Sequence, residues 1–299
     1  MELIFIKMKK TTLAILLIII VFCSCKNNTP QSQKTDEAAI TTIQLKKLWE
    51  SDTVFTTVES TLFDAATNMI YVSNIDGEPW GIDGKGSIGK LGIDGKVVSA
   101  KWVTGLNAPK GLGIVNGKLY VTDITQLVEI DIATGKITNK YDVAGSEGLN
   151  DVTTAPDGSI YFTDSKKGNV HLLKNGVVSS ITQGLGGSNG ILFEEGKLIL
   201  GTWADSSLIA YTFADKKTQI IATQLPQPDG VEAVGDGSYF VSTWKGMIHY
   251  VQPDGKKALL LNTSVDSIGT ADIDFVKEKN LLLVPTFFKN KVVAYEVVK

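Results

Sequence analysis

Three segments of the chain begin with a carboxylate or carboxamide side chain and repeat at nearly equal spacing. These openers are Asn150, Asn189 and Asp229, and they lie 39 and 40 residues apart. Each opener is followed by a short apolar run, a glycine turn and a second run rich in β-forming residues. A period near 40 residues with several strands per unit is typical of a β-propeller blade. Oxygen-bearing side chains that recur at one phase of such a repeat indicate a site for a hard cation.

The same pattern extends toward both ends of the chain. Openers near residues 59, 110, 150, 189, 229 and 272 define six units, and the further side chains are Glu59, Lys110 and Asp272. The innermost strands of a propeller begin at one mouth of its central channel, so openers from different blades converge there. We therefore predict an all-β fold, a six-bladed β-propeller over residues 43–299. Asp272 is a candidate neighbour of the cation.

The sixth unit contains only three predicted strands, whereas an early strand has no partner of its own. This early strand covers Ile43 to Trp49. An unpaired sheet edge is a site of unwanted association. We expect Ile43–Trp49 to pair with Lys291–Val298, so that the N-terminal strand completes the C-terminal blade and closes the ring.

Asn189-Gly190 and Asp229-Gly230 also have the composition of hairpin turns. The phase of the repeat argues against that interpretation. Each unit already has a turn glycine further along, at Gly196 and Gly237, so the two pairs must lie one strand upstream. Polar side chains are costly to bury at that position without a partner, which favours a role as ligands.

The composition excludes several classes of function. All 29 basic residues are lysines, and the net charge is −3. Proteins that recognise nucleic acids rely on bidentate contacts from arginine, so we predict no nucleic-acid partner. We also expect a monomer. Cysteine occurs only at Cys23 and Cys25, which excludes a thiolate metal site in the body of the protein. His171 and His249 lie in different units, where we expect structural roles.

The N-terminal residues have the pattern of an export signal. Three lysines precede an apolar run from Leu13 to Phe22, about as long as the core of a signal peptide. The sequence Phe-Cys-Ser-Cys at residues 22–25 resembles a bacterial lipobox, which implies lipidation at Cys25. We predict a lipoprotein signal peptide over residues 1–25, a flexible tether over 26–42 and a lipid anchor at the cell envelope, on the periplasmic or outer-membrane face. An ordinary secretory signal cleaved nearby is the alternative.

Four motifs carry a resemblance to a known family: VESTLFD around Glu59, NDVTTAPDG from Asn150, Asn189-Gly190, and Pro228-Asp229-Gly230. Over about residues 43–299 the chain resembles the family of gluconolactonase, regucalcin and luciferin-regenerating enzyme, whose fold is a six-bladed propeller. The resemblance implies that Glu59, Asn189 and Asp229 bind one divalent cation. It further implies that Asp229 is the general base and that Asn150 contacts substrate or a water held by the metal.

Two positions depart from the family's pattern. Sugar-lactonase members have an arginine that contacts substrate where this chain has Gly148. Lys110 lies at the same mouth in place of a more neutral residue, and it either binds a carboxylate on the substrate or extends to solvent. Both departures argue against a sugar lactone as the substrate.

Two functions follow from this pattern. The first is a metal-dependent hydrolase of a lactone or ester, a small-molecule substrate, in which oxygen ligands favour Ca²⁺ over Zn²⁺. The second is a non-catalytic propeller at the cell envelope that binds a ligand or a protein partner, because the fold alone does not assign function. Trp203 and Trp244 follow equivalent second strands and serve either in packing or in the channel wall.

Overall fold

The computed structural model describes residues 43–299 as six antiparallel sheets of four strands each. The predicted signal peptide, Cys25 and the tether over residues 26–42 lie outside the described residues. In residues 43–299 the helices are two single 3-10 turns, Ser264–Asp266 and Lys277–Lys279. No helix in this part of the chain is long and apolar enough to cross a membrane.

Each sheet is one blade, and in blades one to five the strands follow in chain order from the inside outward. Blade one consists of β2 (Val58–Asp64), β3 (Met69–Asn74), β4 (Gly86–Gly92) and β5 (Val97–Leu106). Blade two consists of β6 (Pro109–Val115), β7 (Lys118–Asp123), β8 (Gln126–Asp131) and β9 (Lys136–Asp142). Blade three consists of β10 (Leu149–Thr154), β11 (Ile160–Asp164), β12 (Asn169–Lys174) and β13 (Val177–Thr182).

The second half of the chain repeats this order. Blade four consists of β14 (Ser188–Glu194), β15 (Lys197–Thr202), β16 (Ser207–Thr212) and β17 (Thr218–Ala222). Blade five consists of β18 (Pro228–Ala233), β19 (Tyr239–Thr243), β20 (Met247–Val251) and β21 (Lys257–Asn262). Blade six consists of β22 (Asp274–Val276), β23 (Leu281–Pro285), β24 (Val292–Val298) and the early strand β1 (Gln44–Glu50).

The inner strands of the six blades stand around one axis. Consecutive inner strands contact one another from β2 through β6, β10, β14 and β18 to β22, and β22 contacts β2. Ser60 of blade one also forms a bridge to Asp272 at the start of blade six. The fold is therefore an all-β, six-bladed propeller, as the repeat period predicts.

Strand β1 is the outermost strand of blade six. It pairs antiparallel with β24, and Gln44 lies opposite Val298. This pairing between the N-terminal strand and the last blade is the one that the sequence analysis expects, with β1 beginning one residue later than predicted. A Cβ at Gly95 would lie 2.5 Å from the Trp49 ring, so β1 also contacts blade one.

The core consists of apolar side chains between neighbouring blades. Its largest fully buried side chains include Tyr71, Phe162 and Phe240. Burial decreases from the inner strands to the outermost: every residue of β23 is buried, whereas β9 has only exposed and half-buried residues. Apolar packing thus holds the inner strands rigidly, and that rigidity positions the side chains at the channel mouth.

Candidate metal centre and active site

Each predicted opener in blades one to five is the second residue of its inner strand. These residues are Glu59, Lys110, Asn150, Asn189 and Asp229. In every one of the five strands the pairing register shifts directly after the first residue. Such a bulge bends a strand and redirects its side chains. The repeated irregularity therefore explains why polar side chains leave the sheet at the same level and point to the axis.

The structure brings these openers to one cavity of about 260 Å³. Glu59, Lys110, Asn150, Asn189 and Asp229 all line it, together with Pro79, Trp80, Trp203, Trp244 and Phe287. Trp203 and Trp244, for which the sequence allows either packing or a place in the channel wall, both lie in the wall. Trp80, for which the sequence predicts no role, also lines the cavity, where the long loop after β3 places it.

Three carboxylates form a compact cluster at this cavity. Glu59, Asp151 and Asp229 each offer an oxygen, and these oxygens lie within 4.8 Å of one another. All three side chains are at most 4% exposed. Glu59 Oε2, Asp229 Oδ1 and both carboxylate oxygens of Asp151 have no hydrogen-bond partner among the described residues. Buried anions without partners are strongly unfavourable, so the cluster fits a bound cation.

Asp151 is an addition to the sequence-based ligand set. The sequence analysis cites it only as the second residue of the Asn150-Asp151 motif and assigns a role to Asn150 alone. The equivalent position holds glycine at Gly111, Gly190 and Gly230. A carboxylate where blades two, four and five have glycine and blade one has Ser60 was a usable signal, because it places an extra charge inside the bulge.

The protonation equilibria reflect the same crowding of negative charge. Burial raises the pKa of Glu59 to about 7, against an attraction to Lys110 that lowers it. Burial, together with repulsion from neighbouring carboxylates, also raises the pKa of Asp151 and of Asp229 well above the usual range for aspartate. A cation in the cluster opposes each of these shifts, because it stabilises the ionised carboxylates.

Lys110 is buried and does not extend to solvent; its exposed fraction is 3%. This excludes one of the two roles that the sequence allows. Its Nζ lies 4.4 Å from the centre of the Trp80 ring, on which Lys166 Nζ also lies at 4.6 Å. Burial lowers the pKa of Lys110, whereas Glu59 and other nearby carboxylates raise it. Lys110 therefore offsets part of the negative charge that the nearby carboxylates carry when ionised.

The two asparagines are linked through one hydroxyl group. Asn150 Nδ2 donates a hydrogen bond to Ser165 Oγ at 3.0 Å, and Ser165 Oγ lies 3.5 Å from Asn189 Oδ1. Ser165 Oγ also donates to the carbonyl of Ser188 at 2.9 Å. Asn150 Oδ1 is buried and has no partner within residues 43–299. It is therefore available as an acceptor at the cavity.

Asp272 lies on the axis but has a partner of its own. Its Oδ2 accepts a hydrogen bond from Ser60 Oγ at 2.7 Å. Asp272 is the neighbouring charge that raises the pKa of Asp151 most, after burial itself. It thus influences the cluster by repulsion, and Asp151, rather than Asp272, joins Glu59 and Asp229.

One protein-family model matches most of this chain. A model of the SMP-30/Gluconolactonase/LRE-like region matches residues 59–270. The chain belongs to this family. The matched residues include every opener that lines the cavity, from Glu59 to Asp229. A search of the curated proteins finds no match.

Several solved structures share the fold. A protein assigned as a gluconolactonase superposes with a TM-score of 0.63 at 18% identity, covering 86% of this chain and 93% of that one. A catalytically inactive virginiamycin B lyase from Staphylococcus aureus, solved with quinupristin, gives a TM-score of 0.59 at 15% identity, covering 86% and 99%. A chain of a nidogen/laminin complex gives 0.58 at 16% identity, covering 69% and 83%. At these identities the likeness extends to the fold alone.

Proposed function

We propose that this protein is a metal-dependent hydrolase of the gluconolactonase type that acts on a lactone or ester. The observation that carries the proposal is the buried cluster of Glu59, Asp151 and Asp229. One carboxylate oxygen of each lies within 4.8 Å of the others, and each residue has at least one oxygen without a hydrogen-bond partner among the described residues. Membership of the family supports a lactonase-type activity. A cluster of oxygen ligands favours a hard cation, Ca²⁺ before Zn²⁺.

Each residue of the cavity has a place in this proposal. Glu59, Asn189 and Asp229 hold the cation, and Asp151 adds a fourth oxygen donor. When bound, the cation would act as a Lewis acid and polarise the carbonyl of the substrate. Asp229 Oδ1 accepts a proton from the attacking water, as a general base must lie within hydrogen-bond reach of that proton.

Asn150 can offer both an acceptor and a donor to the cavity. Its Oδ1 is buried and has no partner within residues 43–299. Its Nδ2 donates one of its two N–H groups to Ser165 Oγ, which leaves the second N–H free to donate. We assign Asn150 Oδ1 to an O–H of the attacking water, and the second N–H keeps the carbonyl of the substrate as an alternative partner.

Hydrolysis of a broad lactone and ester panel, measured with and without chelator, tests the proposal. We expect turnover with Ca²⁺, its loss on chelation, and a fall of at least about 100-fold in kcat for Asp229→Asn, the usual range for a general base. Retention of one cation per chain without turnover of any substrate would favour the alternative, a non-catalytic propeller that binds a ligand or partner.

We also propose that Cys25 carries a lipid that anchors the protein to the bacterial cell envelope. The lipobox-like Phe-Cys-Ser-Cys at residues 22–25 supports this, and residues 26–42 then form the tether. Metabolic labelling with a fatty-acid analogue tests it: the wild type is expected to incorporate the label and to fractionate with membranes. Cys25→Ser is expected to do neither, and equal labelling of both proteins would contradict the proposal.

A further inference from the structure

On the side of blades four to six, aromatic side chains line the mouth of the cavity. The residue that directly follows the second strand of the blade is Trp203 in blade four, Trp244 in blade five and, one residue further on, Phe287 in blade six. The corresponding residues after β3, β7 and β11 are Ile75, Ile124 and Ser165. Half of the ring at this level is therefore built from large aromatic side chains.

These aromatic side chains form one continuous wall. The ring centres of Trp203 and Trp244 are 6.3 Å apart, and those of Trp244 and Phe287 are 5.8 Å apart. Phe288 extends the wall outward, with its ring centre 4.6 Å from that of Phe287. Phe288 is 59% exposed, so the wall runs from the buried cluster to the solvent-facing rim.

The polar residues that line the cavity are Glu59, Lys110, Asn150, Asn189 and Asp229, and Asp151 lies beside Glu59 and Asp229. The ammonium groups of Lys110 and Lys166 lie over the Trp80 ring. The face of Trp80 is thus engaged by cations. The wall of Trp203, Trp244 and Phe287 therefore offers the large apolar surface of this cavity.

This arrangement, with an aromatic wall beside charged and polar residues, favours some lactones over others as substrates. A polyhydroxylated ring needs a hydrogen-bond partner for each buried hydroxyl group, since an unpaired one is costly. The indole Nε1 of Trp203 is a buried donor of this wall without a partner in the described part of the chain. The aromatic faces themselves supply none of these partners, whereas they bind alkyl and aryl groups well. Resting on the function proposed above, we infer that the substrate is a lactone or ester with an alkyl or aryl substituent, which lies against Trp203, Trp244 and Phe287.

A matched set of substrates tests this inference. δ-Valerolactone, the same ring with a pentyl substituent, and glucono-1,5-lactone share the scissile group and differ in what meets the wall. With Ca²⁺ present, we expect kcat/KM for the pentyl lactone to exceed that for the parent ring at least about tenfold, the range that apolar pockets achieve. We expect the sugar lactone to be the poorest substrate.

Substitution of the wall should act more strongly on the substituted ring than on the parent ring. We expect Trp244→Leu to lower kcat/KM for the pentyl lactone about tenfold more than kcat/KM for the parent ring. Trp102→Leu is the matched control, because Trp102 lies on β5 against Tyr71, away from the cavity. An equal loss for both lactones, or a preference for the sugar lactone, would overturn the inference and leave the hydrolase proposal standing.

Binding of a compound that cannot be hydrolysed separates the hydrolase proposal from the inference about the aromatic wall. 2-Pentylcyclohexanone has the shape of the pentyl lactone but no ester bond, and tryptophan fluorescence reports its binding. We expect saturable quenching that Trp244→Leu weakens about tenfold, whereas cyclohexanone binds both proteins equally weakly. If no lactone or ester is hydrolysed, the hydrolase proposal fails while this titration still decides the inference. Binding that is independent of Trp244 would overturn it.

Discussion

Gly190 lies directly against the main chain of Asp229. A Cβ placed on Gly190 would lie 1.8 Å from the carbonyl oxygen of Asp229. Gly111 and Gly230 have equivalent positions, where a Cβ would lie 2.4 Å from Asp151 Cα and from the Ile273 nitrogen. The glycine after each opener therefore allows neighbouring inner strands to approach closely, and none of these three has the positive φ of a turn glycine.

We expect Gly190→Ala to be among the most destabilising single substitutions in the propeller. The clash is with main chain on a buried strand, so it forces a backbone shift, for which about 3 kcal/mol or more is a reasonable cost. Gly196 provides the control, because it is a turn residue with φ +80° and an added Cβ meets nothing within 4 Å. Gly196→Asn should cost roughly 1 kcal/mol or less, since asparagine tolerates this conformation. Calorimetric melting of both variants provides the test, and comparable melting temperatures would contradict the close approach.

Asp151 should be as important for cation binding as the ligands expected from the sequence. We expect Glu59→Gln, Asp151→Asn and Asp229→Asn each to weaken Ca²⁺ affinity at least about tenfold, because each removes one charged oxygen donor. Calorimetric titration of Ca²⁺ into the metal-free protein measures this. Glu195→Gln is the control, since Glu195 is exposed on the turn after β14. Unchanged affinity in Asp151→Asn alone would assign Asp151 to repulsion rather than to binding.

Asp151→Asn should stabilise the protein once the cation is removed. Without the cation, the three carboxylates are buried close together. Burial raises the pKa of Glu59, and burial with repulsion from neighbouring carboxylates raises the pKa of Asp151 and Asp229. A neutral carboxamide in place of the Asp151 carboxylate relieves part of this repulsion, so metal-free Asp151→Asn should be more stable than the metal-free wild type by about 1 kcal/mol. Calorimetry in chelator should show a melting temperature higher by about 2–4 °C, and excess Ca²⁺ should reverse the order.

The fold could be predicted because its signal is periodic. Openers at near 40-residue spacing, turn glycines at Gly158, Gly196 and Gly237, and an unpartnered early strand together define six blades. All three turn glycines have a positive φ, as a tight turn requires. Family resemblance added the expected roles of the openers. The positions of these openers at one mouth then followed from the geometry of a propeller.

The remaining features of the site do not follow the repeat of the sequence, so the sequence does not predict them. Asp151 enters the cluster because a bulge turns two consecutive residues of β10 toward the axis, and bulges follow from pairing rather than from composition. Trp80 reaches the cavity through a long loop whose path no period specifies. The buried state of Lys110 likewise results from Trp80 covering it. Such contacts are tertiary, so they become visible only when the blades are placed side by side.

His249 should make stability depend on pH below neutrality. Burial lowers the pKa of His249 to about 4 from an ordinary value of 6.5. Between these values the unfolded chain binds more protons than the folded one, so His249 makes the free energy of unfolding fall as the pH falls from about 6.5 to about 4. The full effect is roughly 2–3 kcal/mol. We expect His249→Leu to lack this component.

Denaturant unfolding of the wild type and His249→Leu at several pH values provides the measurement. The difference between the two proteins should be constant above about pH 7.5, where His249 is neutral in both states. It should shift by roughly 2 kcal/mol in favour of the variant as the pH falls to about 4. Curves that run parallel over this range would show that the folded protein tolerates the charged imidazole.

The early strand β1 should be required for stability and for solubility. It covers the outer edge of β24 along the pairs from Gln44↔Val298 to Glu50↔Val293, and Lys291 Nζ donates a hydrogen bond to Glu50 at 2.9 Å. Removal of residues 1–51 would expose that edge, and an exposed edge of this length templates association. Removal of residues 1–42 leaves β1 in place and serves as the matched control. We expect the shorter deletion to melt like the mature protein, and the longer one to melt at least about 5 °C lower and to sediment as aggregates. If both deletion variants melt at the same temperature and sediment as monomers, blade six is stable with three strands.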